Sequence, residues 1–196
     1  DELVGGYVQI YADVPGDEAD SIMFTNDDLD MIYEKGPHVK GATDVWSFGA
    51  QGSAQSTKGT FSVAPMFGNE SLFYYDNAPL IRGRYYNKSE AQSSAKVCVI
   101  NERGAKKLFG STDVVGLEIS MSMWGITEDY TVVGVRKDND SIAKQMTTGT
   151  GADVSMEIPL TTLEDLYGYY TDEFSSFIVF ADSSEYVTEI SKQVKS

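Results

Sequence analysis

The sequence has few of the residues from which catalytic and metal sites are usually built. It contains one cysteine, Cys98, and one histidine, His38, among 196 residues. A single cysteine excludes a disulfide within the chain and a multi-cysteine metal site, and a single histidine excludes a zinc site of the HExxH type. Cys98 lies in the apolar run at 95–100, where we expect a buried, inert thiol. His38 follows Pro37 at a predicted helix end, where a solvated histidine is far more common than a catalytic one.

Basic side chains are also scarce. The chain has 15 Lys+Arg against 30 Asp+Glu, a net charge of −15. Binding to a polyanion depends on Lys and Arg that displace counterions, so this charge argues against nucleic acid as a partner and disfavours anionic lipid surfaces. The same charge suits a cationic peptide through long-range attraction. Solubility alone is the alternative explanation for it.

Long apolar runs and phosphate-binding glycine motifs are missing as well. No stretch approaches the roughly 18 apolar residues that would span a bilayer. Neither GxxxxGK followed by Ser or Thr nor a strand–GxGxxG–helix pattern occurs, so we expect no nucleotide site and no cofactor. The chain begins Asp1-Glu2-Leu3 without a basic leader, and residues 190–196 have the pattern of the middle of a helix. We therefore interpret it as a piece of a longer protein.

Hydrophobic residues make up 41% of the chain, enough for a core, and strand and helix patterns alternate at both ends around a strand-rich middle. Apolar runs predict strands at 4–11, 39–48, 60–67, 96–100, 117–123, 129–137, 154–160 and 175–181. Apolar spacing and cap residues predict helices at 25–35, 101–109, 161–170 and from 184 onward, capped by Thr25, Asn101, Thr161 or Thr162, and Ser183 or Ser184. No helix or strand is predicted at 13–21, 49–59, 70–77, 87–94 or 138–153.

This order of elements predicts an α+β fold with a mixed β-sheet and helices in one domain, residues 1–196. We expect two lobes within it. One lobe combines residues 1–48 with 154–196 and joins the termini. The other, residues 49–153, is rich in strands and distal.

Acidic residues are concentrated near the amino terminus. Seven carboxylates and no basic residue lie in the 18 residues from 13 to 30: Asp13, Asp17, Glu18, Asp20, Asp27, Asp28 and Asp30. A calcium site is one interpretation, and a solvated loop before a helix amino terminus is the other and the favoured one, since EF-hand spacing is absent. Asp138-Asn139-Asp140 also opens like a calcium loop. Ala143 and Gly149 replace the glycine and glutamate that such a loop needs, so an acidic turn is predicted there.

Three short groups of aromatic residues stand close together in the sequence: Phe73-Tyr74-Tyr75, Tyr85-Tyr86 and Tyr167-Tyr169-Tyr170. They could stack against a sugar or a peptide, but neighbouring residues in a strand point to opposite faces, so packing into the core is favoured. An exposed patch that binds a partner remains the alternative. Paired carboxylates for glycoside hydrolysis are a further option, although no motif identifies a pair.

The central segment, 95–138, joins its elements in a characteristic order. An apolar strand at 97–100 leads through Asn101-Glu102 into a helix that ends in Leu108-Phe109-Gly110, and Val115-Gly116 and a strand ending at 132–135 (VVGV) follow. Similar pieces continue the order at 24–42, 80–86 and 156–160. Together they resemble the MacB-like periplasmic core domain of ABC transporter permeases of the FtsX-like type. Two departures are Gly41-Ala42, where β-branched residues are usual, and 125–129, which is longer than a plain hairpin.

The resemblance implies a non-catalytic extracytoplasmic domain of a membrane-anchored bacterial permease, on the extracellular or periplasmic face of the cell membrane. It implies that ATP is hydrolysed by a separate cytoplasmic subunit or domain and that a second permease copy completes the transporter. The domain would transmit ATP-driven movement and contact a peptide, antibiotic or lipoprotein during export. No catalytic, cofactor or metal residue is implied, and the residues that bind substrate are not identified.

The residues themselves indicate scaffold roles in this segment. Gly110 is expected to end a helix, and Gly116 and Gly134 to allow turns, bulges or close backbone approach. Arg82 and Arg84 are two of four arginines in an acidic chain, so we expect them to form salt bridges. The alternative function is a free-standing extracellular module that binds a ligand or protein. A hydrolase with paired carboxylates is a third hypothesis.

Overall fold

The chain forms two compact units, residues 1–45 with 170–196 and residues 46–169. The computed structural model describes residues 3–4, 7–11, 24–25, 27, 38–76, 78–138, 151–168, 173–174 and 176–181. The strands of the first unit are β1 (Leu3–Val4), β2 (Tyr7–Tyr11), β3 (Phe24–Thr25), β4 (Val39–Thr43), β13 (Glu173–Phe174) and β14 (Ser176–Ala181).

The second unit carries the remaining elements. Its strands are β5 (Trp46–Ser47), β6 (Gly52–Ser56), β7 (Gly59–Gly68), β8 (Leu80–Gly83), β9 (Val97–Asn101), β10 (Glu118–Met123), β11 (Ile126–Arg136) and β12 (Val154–Pro159). Its helices are a 3₁₀ helix (Glu70–Tyr75), α1 (Lys88–Gln92), α2 (Glu102–Phe109) and α3 (Leu160–Tyr167).

The first unit is built on an antiparallel sheet with the strand order β1-β2-β14-β4, and β3 pairs with β13. β14 lies inside this sheet, and its residues 177–181 (FIVFA) are all buried. A continuous apolar run of this kind fits a strand that is covered on both faces. The pattern explains why this strand could be predicted from sequence alone.

The second unit contains a closed barrel of six strands. The order β10-β6-β7-β12-β9-β11 returns to its start, because β10 pairs with both β6 and β11. The pairs β7–β12 and β9–β11 are parallel and the other four are antiparallel, so the sheet is mixed. β5 and β8 extend it, by pairing with β7 and β11. The predicted α+β fold with a mixed sheet is confirmed; closure was not predicted.

Side chains from all six strands fill the barrel. The buried core includes Ala54, Val63, Phe67, Cys98, Ile100, Met121, Tyr130, Val132, Val154, Met156 and Ile158. The helix α2 contacts β6, β7, β9, β11 and β12, and its Ala105 and Leu108 join this core. Cys98 is fully buried, as predicted, and burial raises the pKa of its thiol.

Several predicted strands need correction. The strand predicted over 4–11 is divided into β1 and β2, which pair in antiparallel fashion with Leu3 opposite Val8. The strand predicted over 39–48 is divided between β4 in the first unit and β5 in the second. The loop predicted at 49–59 contains β6, a strand of small polar residues (GSAQS) that is held by pairing on both edges.

One strand contains a proline, and one turn is tighter than expected. β7 runs through Pro65, and its bounds agree with the strand predicted at 60–67. Both β6 and β5 pair with the same edge of β7. The pairing with β6 ends at Val63 and the pairing with β5 begins at Met66, so Pro65 lies between them, where its missing N–H is not needed. The segment 125–129 is not a long connection: Met123 pairs with Ile126, and Trp124-Gly125 form a two-residue hairpin turn.

The predicted cap of α2 is confirmed in position but not in its hydrogen bond, and the predicted cap of α3 is wrong, because Pro159 holds that position. Asn101 occupies the predicted cap position of α2 but makes no capping bond; its oxygen accepts from Ser155 N, and Asp138 accepts the Arg103 N–H instead. Thr161 and Thr162 lie inside α3, where their hydroxyls donate to the carbonyls of residues 91 and 95. α1 was not predicted, although Asn87 and Glu90 form a capping box.

Some predictions lie mostly or wholly outside the described residues. These are the helix at 25–35, the helix from 184 onward, the acidic stretch 13–21 and most of the stretch at 138–153; Thr25 itself lies in β3. The predicted lobe boundary also differs from the division into units. Residues 154–169 belong to the second unit, because β12 pairs with β7 and β9. Within the described residues, no helix is long and apolar enough to span a membrane.

Candidate functional site

Arg136 and Glu157 form an ion pair on the outer face of the barrel. In β12, residues 154, 156 and 158 belong to the barrel core, so Glu157 points outward. Arg136 is the last residue of β11, and its Nε donates to Glu157 Oε2 at 2.8 Å. The side chains are only 4% and 15% exposed. Because removing each charge from water costs several kcal/mol, the pair needs further hydrogen-bond partners.

The segment after β7 supplies these partners. Arg136 donates through Nη1 to the carbonyl oxygen of Ala78 at 2.8 Å and through Nη2 to that of Phe73 at 2.7 Å. Its guanidinium lies 4.9 Å and 5.2 Å from the ring centres of Phe73 and Tyr85, at cation–π distance. The Tyr85 hydroxyl donates to Glu157 Oε1 at 2.9 Å. The ion pair therefore fastens residues 73–85 to the barrel.

The electrostatics of this pair favour a structural role. Burial raises the pKa of the Glu157 carboxyl, against the opposing attraction of Arg136 and the hydrogen bond from Tyr85. Burial lowers the pKa of Arg136, but attraction to Glu157 and other neighbours raises it overall. A cavity of about 40 Å³ lies beside Glu157. It has room for water but is far smaller than ligand pockets, which occupy several hundred Å³.

Other carboxylates also have structural partners. Asp138, from the segment that opens like a calcium loop, accepts the N–H of Arg103 at 2.9 Å and the Asn101 amide at 3.2 Å. Asp153 accepts from Lys107 Nζ at 2.7 Å and from the backbone N–H of Ser62. In the described part of the chain, no group of three or more His, Cys, Asp or Glu side chains could hold a metal ion.

The predicted arginine and glycine roles are largely confirmed. Arg84 forms the predicted salt bridge, a bidentate bond with Glu90 at 2.7 and 3.2 Å. The salt bridge predicted for Arg82 is not found among the described residues, where its Nε donates to the Thr112 hydroxyl. Gly110 ends α2 with φ 76°. Gly134 pairs with Gly83, and a Cβ at Gly134 would lie 2.2 Å from the carbonyl oxygen of Arg84, so a close backbone approach requires glycine.

Four aromatic rings, named here the aromatic patch, form a cluster on the second unit: Trp46, Phe48, Trp124 and Tyr167. The rings of Trp46 and Phe48 are 6.0 Å apart, those of Phe48 and Trp124 4.6 Å, and those of Trp124 and Tyr167 5.6 Å. Phe48 and Tyr167 are half-buried and pack on the barrel core, whereas Trp46 and Trp124 are 37% and 47% exposed. The patch is therefore a supported, solvent-accessible aromatic surface.

The aromatic groups singled out in the sequence mostly serve packing, as favoured there. Phe73 and Tyr85 contact Arg136, and Tyr86 is buried and donates to the carbonyl oxygen of Gly68. Tyr167 is the member that reaches the aromatic patch; Tyr169 and Tyr170 lie outside the described residues. His38 lies directly before β4 and is half-buried.

Neither the two exposed tryptophans nor the Arg136–Glu157 pair was predicted from the sequence. A signal existed for Trp124, because Trp-Gly between two predicted strands fits a two-residue hairpin and so exposes the indole at its tip. A signal existed for Arg136 too: an arginine at the end of the apolar run TVVGV needs a partner if it is buried. Neither signal identifies the contacting residues.

Comparison with known proteins identifies relatives of this fold. The family model for the MacB-like periplasmic core domain matches residues 3–196. The extracellular domain of the noncanonic ABC-type transporter YknZ from Gram-positive bacteria is similar at 19% identity and TM-score 0.63, over 93% of this chain and 86% of that one. The periplasmic region of MacB from Actinobacillus actinomycetemcomitans is similar at 15% identity and TM-score 0.62, over 96% and 82%. No curated protein is significantly similar to the chain.

Proposed function

Because the chain belongs to the family of MacB-like periplasmic core domains, we propose that it is the extracytoplasmic domain of an ABC transporter permease subunit. The match of the family model over residues 3–196 carries the proposal. The likeness of the fold to domains of YknZ and MacB supports it. On this proposal, the domain lies on the extracellular or periplasmic face of a cell membrane.

The proposed role is mechanical and not catalytic. The charged groups with resolved partners hold segments together: Arg136 and Glu157 fasten residues 73–85, Asp138 caps α2, and Asp153 joins Lys107 to β7. A closed barrel has hydrogen bonds around its whole circumference, which makes it a stiff body. Such a body transmits displacement with little internal deformation.

The energy for movement would come from a partner. ATP would be bound and hydrolysed by a cytoplasmic subunit or domain, and a second permease copy would complete the transporter. The sequence lacks a phosphate-binding glycine loop, in agreement with this division of labour. The domain would contact the exported molecule, a peptide, antibiotic or lipoprotein, outside the membrane.

Coupling can be tested in the assembled transporter. Lys58 lies in the exposed turn between β6 and β7, so Lys58→Cys accepts a spin label with little effect on the fold. We expect the distance between labels on two permease copies to change when a non-hydrolysable ATP analogue binds. Identical distance distributions with and without nucleotide would contradict the proposed coupling.

The alternative function is a free-standing extracellular binding module. The aromatic patch is the observation that favours it, since exposed aromatic clusters mark binding surfaces. The two functions differ in where the full gene product is found. A module would be released from cells, whereas a permease would remain in the membrane fraction after washing with high salt and alkali.

A further inference from the structure

Both tryptophans of the chain belong to the aromatic patch, and both are exposed. Trp46 begins β5, and Trp124 lies in the hairpin turn between β10 and β11. Trp124 is 47% exposed although its ring contacts those of Phe48 and Tyr167. Aromatic surface on both indoles is therefore accessible to a ligand from solvent.

Trp124 occupies a backbone position that does not favour tryptophan. It has φ 52° and Gly125 has φ 82°, as in a type I′ turn, for which Asn-Gly is the preferred sequence. A bulky residue in the left-handed region is strained. Turn formation therefore does not explain the indole at this position, whereas a contact made by its ring would.

The rings of the patch are held in place from below. The Tyr167 hydroxyl donates to the Met123 carbonyl oxygen at 2.9 Å, which ties α3 to the hairpin that carries Trp124. Phe48 contacts Phe67 of the barrel core, with ring centres 6.2 Å apart. A surface that is already ordered loses little entropy when a ligand binds.

The chain that forms most of the patch is uncharged. Residues 45–57 and 119–127 contain no Lys, Arg, His, Asp or Glu, although 23% of the whole chain is charged. The two stretches are neighbours in the barrel, because β6 pairs with β10, and they contain three of the four rings. The charges nearest to the rings in sequence are Asp44, which is buried, and Glu164 and Asp165 of α3. Ionic attraction is therefore not what this surface chiefly offers.

The same two stretches are rich in side chains that form hydrogen bonds without carrying charge. Ser122 pairs with Thr127 one step behind the hairpin turn, and their hydroxyls form an exposed hydrogen bond of 2.6 Å. Along its other edge β10 meets β6, where Ser122 pairs with Ser53 and Ser120 with Gln55. Uncharged hydroxyl and amide groups therefore line the strands that lead to the turn.

The exposed area of the patch is too small for a protein partner. Trp46 and Trp124 are 37% and 47% exposed. An aromatic side chain presents about 150–250 Å², so the two leave on the order of 150–200 Å² for a ligand. A stable protein interface buries about 800 Å² on each partner, which also argues against a second copy as the occupant. The area fits one or two rings of a small ligand.

These features together define the chemistry of the ligand. A saccharide ring has a C–H face that stacks on an aromatic ring, and its hydroxyl edges bond to hydroxyl and amide groups or stay hydrated. An apolar ligand on this open surface would leave its outer face in water. We propose that the aromatic patch binds an uncharged oligosaccharide, stacked on Trp46 and Trp124. The proposal goes beyond the proposed function, since a permease domain and a free-standing module could each carry such a site.

Tryptophan fluorescence of the 196-residue chain reports on the patch directly, because both tryptophans lie in it. The probes are three neutral tetrasaccharides, built from β-linked N-acetylglucosamine, β-linked glucose and α-linked glucose. We expect a saturable change in emission with at least one of them, at an affinity that added salt does not alter. No saturable change with any of the three would overturn the proposal.

A charged relative of one probe tests the absence of ionic attraction. The fully deacetylated N-acetylglucosamine tetrasaccharide keeps the sugar backbone and is cationic. It should bind no more tightly than the best neutral tetrasaccharide. Tighter binding that weakens as salt is added would show that charge selects the ligand, and would contradict the proposal.

Two variants separate the patch from the fold. Trp46→Leu keeps an apolar side chain but removes the aromatic face, and Trp124→Asn installs the preferred Asn-Gly turn. The melting temperature of Trp124→Asn should equal or exceed that of the parent chain. Affinity for the tetrasaccharide that binds, measured by titration calorimetry, should fall at least tenfold in each variant.

The matched control is Leu117→Ser, which removes a similarly exposed apolar side chain at the opposite end of β10 and should leave affinity unchanged. Unchanged affinity in either tryptophan variant, or an equal loss in Leu117→Ser, would show that the saccharide does not stack on the patch.

Discussion

At the scale of single residues, predictability depends on whether a role is local. The burial of Cys98 and the helix end at Gly110 were predicted correctly, because an apolar run and a helix end can be recognised from a few neighbouring residues. The partner of Arg136 could not be predicted, since Glu157 lies 21 residues away on another strand. Only the ring order of strands brings the two together on one face of the barrel. The contact of Trp124 with Tyr167 could not be predicted for the same reason, because it joins residues that are far apart in the sequence.

Removing one member of the buried ion pair should be costly. We expect Arg136→Met to lower the free energy of unfolding by about 3–5 kcal/mol, because it leaves the Glu157 carboxylate buried without its cation. The double variant Arg136→Met/Glu157→Met should recover much of that loss. Urea denaturation followed by circular dichroism measures both. A loss below about 1 kcal/mol in Arg136→Met would show that the pair does not fasten the segment 73–85.

The carboxyl of Asp153 should make stability depend on pH in acid. The hydrogen bond from Lys107, with further bonds from Ser62, lowers the pKa of Asp153 below its ordinary value of 3.8. A lowered folded-state pKa contributes stability above the ordinary value, and that contribution is lost as pH falls through the folded-state pKa. Asp153→Asn should therefore be less stable than the parent chain at pH 6, and the difference should shrink below pH of about 4.

Thermal melts of both proteins at matched salt would measure this difference. Lys107→Met is the matched partner variant, because it removes the same bond from the other side. A stability gap between Asp153→Asn and the parent chain that stays constant down to pH of about 2 would contradict the assignment.

At the scale of elements, strands with a clear apolar pattern could be predicted, whereas a strand of small residues could not. The strands β9, β12 and β14 were placed correctly because their apolar runs contrast with their surroundings. β6 was missed because Gly, Ser and Ala have low strand propensity, and its conformation comes from pairing on both edges. Its Gly52 lies in tight packing: a Cβ there would lie 3.0 Å from the Met121 sulfur, so a larger residue would require Met121 to shift.

The helix α1 depends on its capping box more than a long helix would. It has only five residues, and a helix of that length has little intrinsic stability. Asn87 Oδ1 accepts a hydrogen bond from the Glu90 N–H at 2.9 Å, and Glu90 Oε1 accepts one from the Asn87 N–H at 3.0 Å. Asn87→Ala should lower the free energy of unfolding by about 1 kcal/mol.

Denaturation in urea would measure this loss, and Asn87→Ser, which keeps a capping oxygen, is the matched control that should lose less. Glu90 also binds Arg84, so Glu90→Gln tests whether the charge matters beyond the cap. Equal stability of Asn87→Ala and the parent chain would show that α1 is held by tertiary contacts alone.

At the scale of the whole molecule, the order of elements was sufficient to predict the α+β class and the family, and both are confirmed. Closure of the barrel could not be predicted from the sequence, because it depends on β10 pairing with β11 along one edge and with β6 along the other. Sequence pattern describes which faces of a strand are apolar, but not which strands are neighbours. The proposed function rests on family membership and not on the barrel itself.

The central claim is that this domain lies outside the cytoplasmic membrane as part of a permease. It is tested most directly by labelling Lys58→Cys in the full-length gene product with a membrane-impermeant maleimide, on protoplasts or spheroplasts. Lys58 is exposed, and the native Cys98 is fully buried, so the unmodified protein provides the background. The account predicts that Lys58→Cys is labelled in intact protoplasts. Labelling that appears only after the membrane is permeabilised would contradict it.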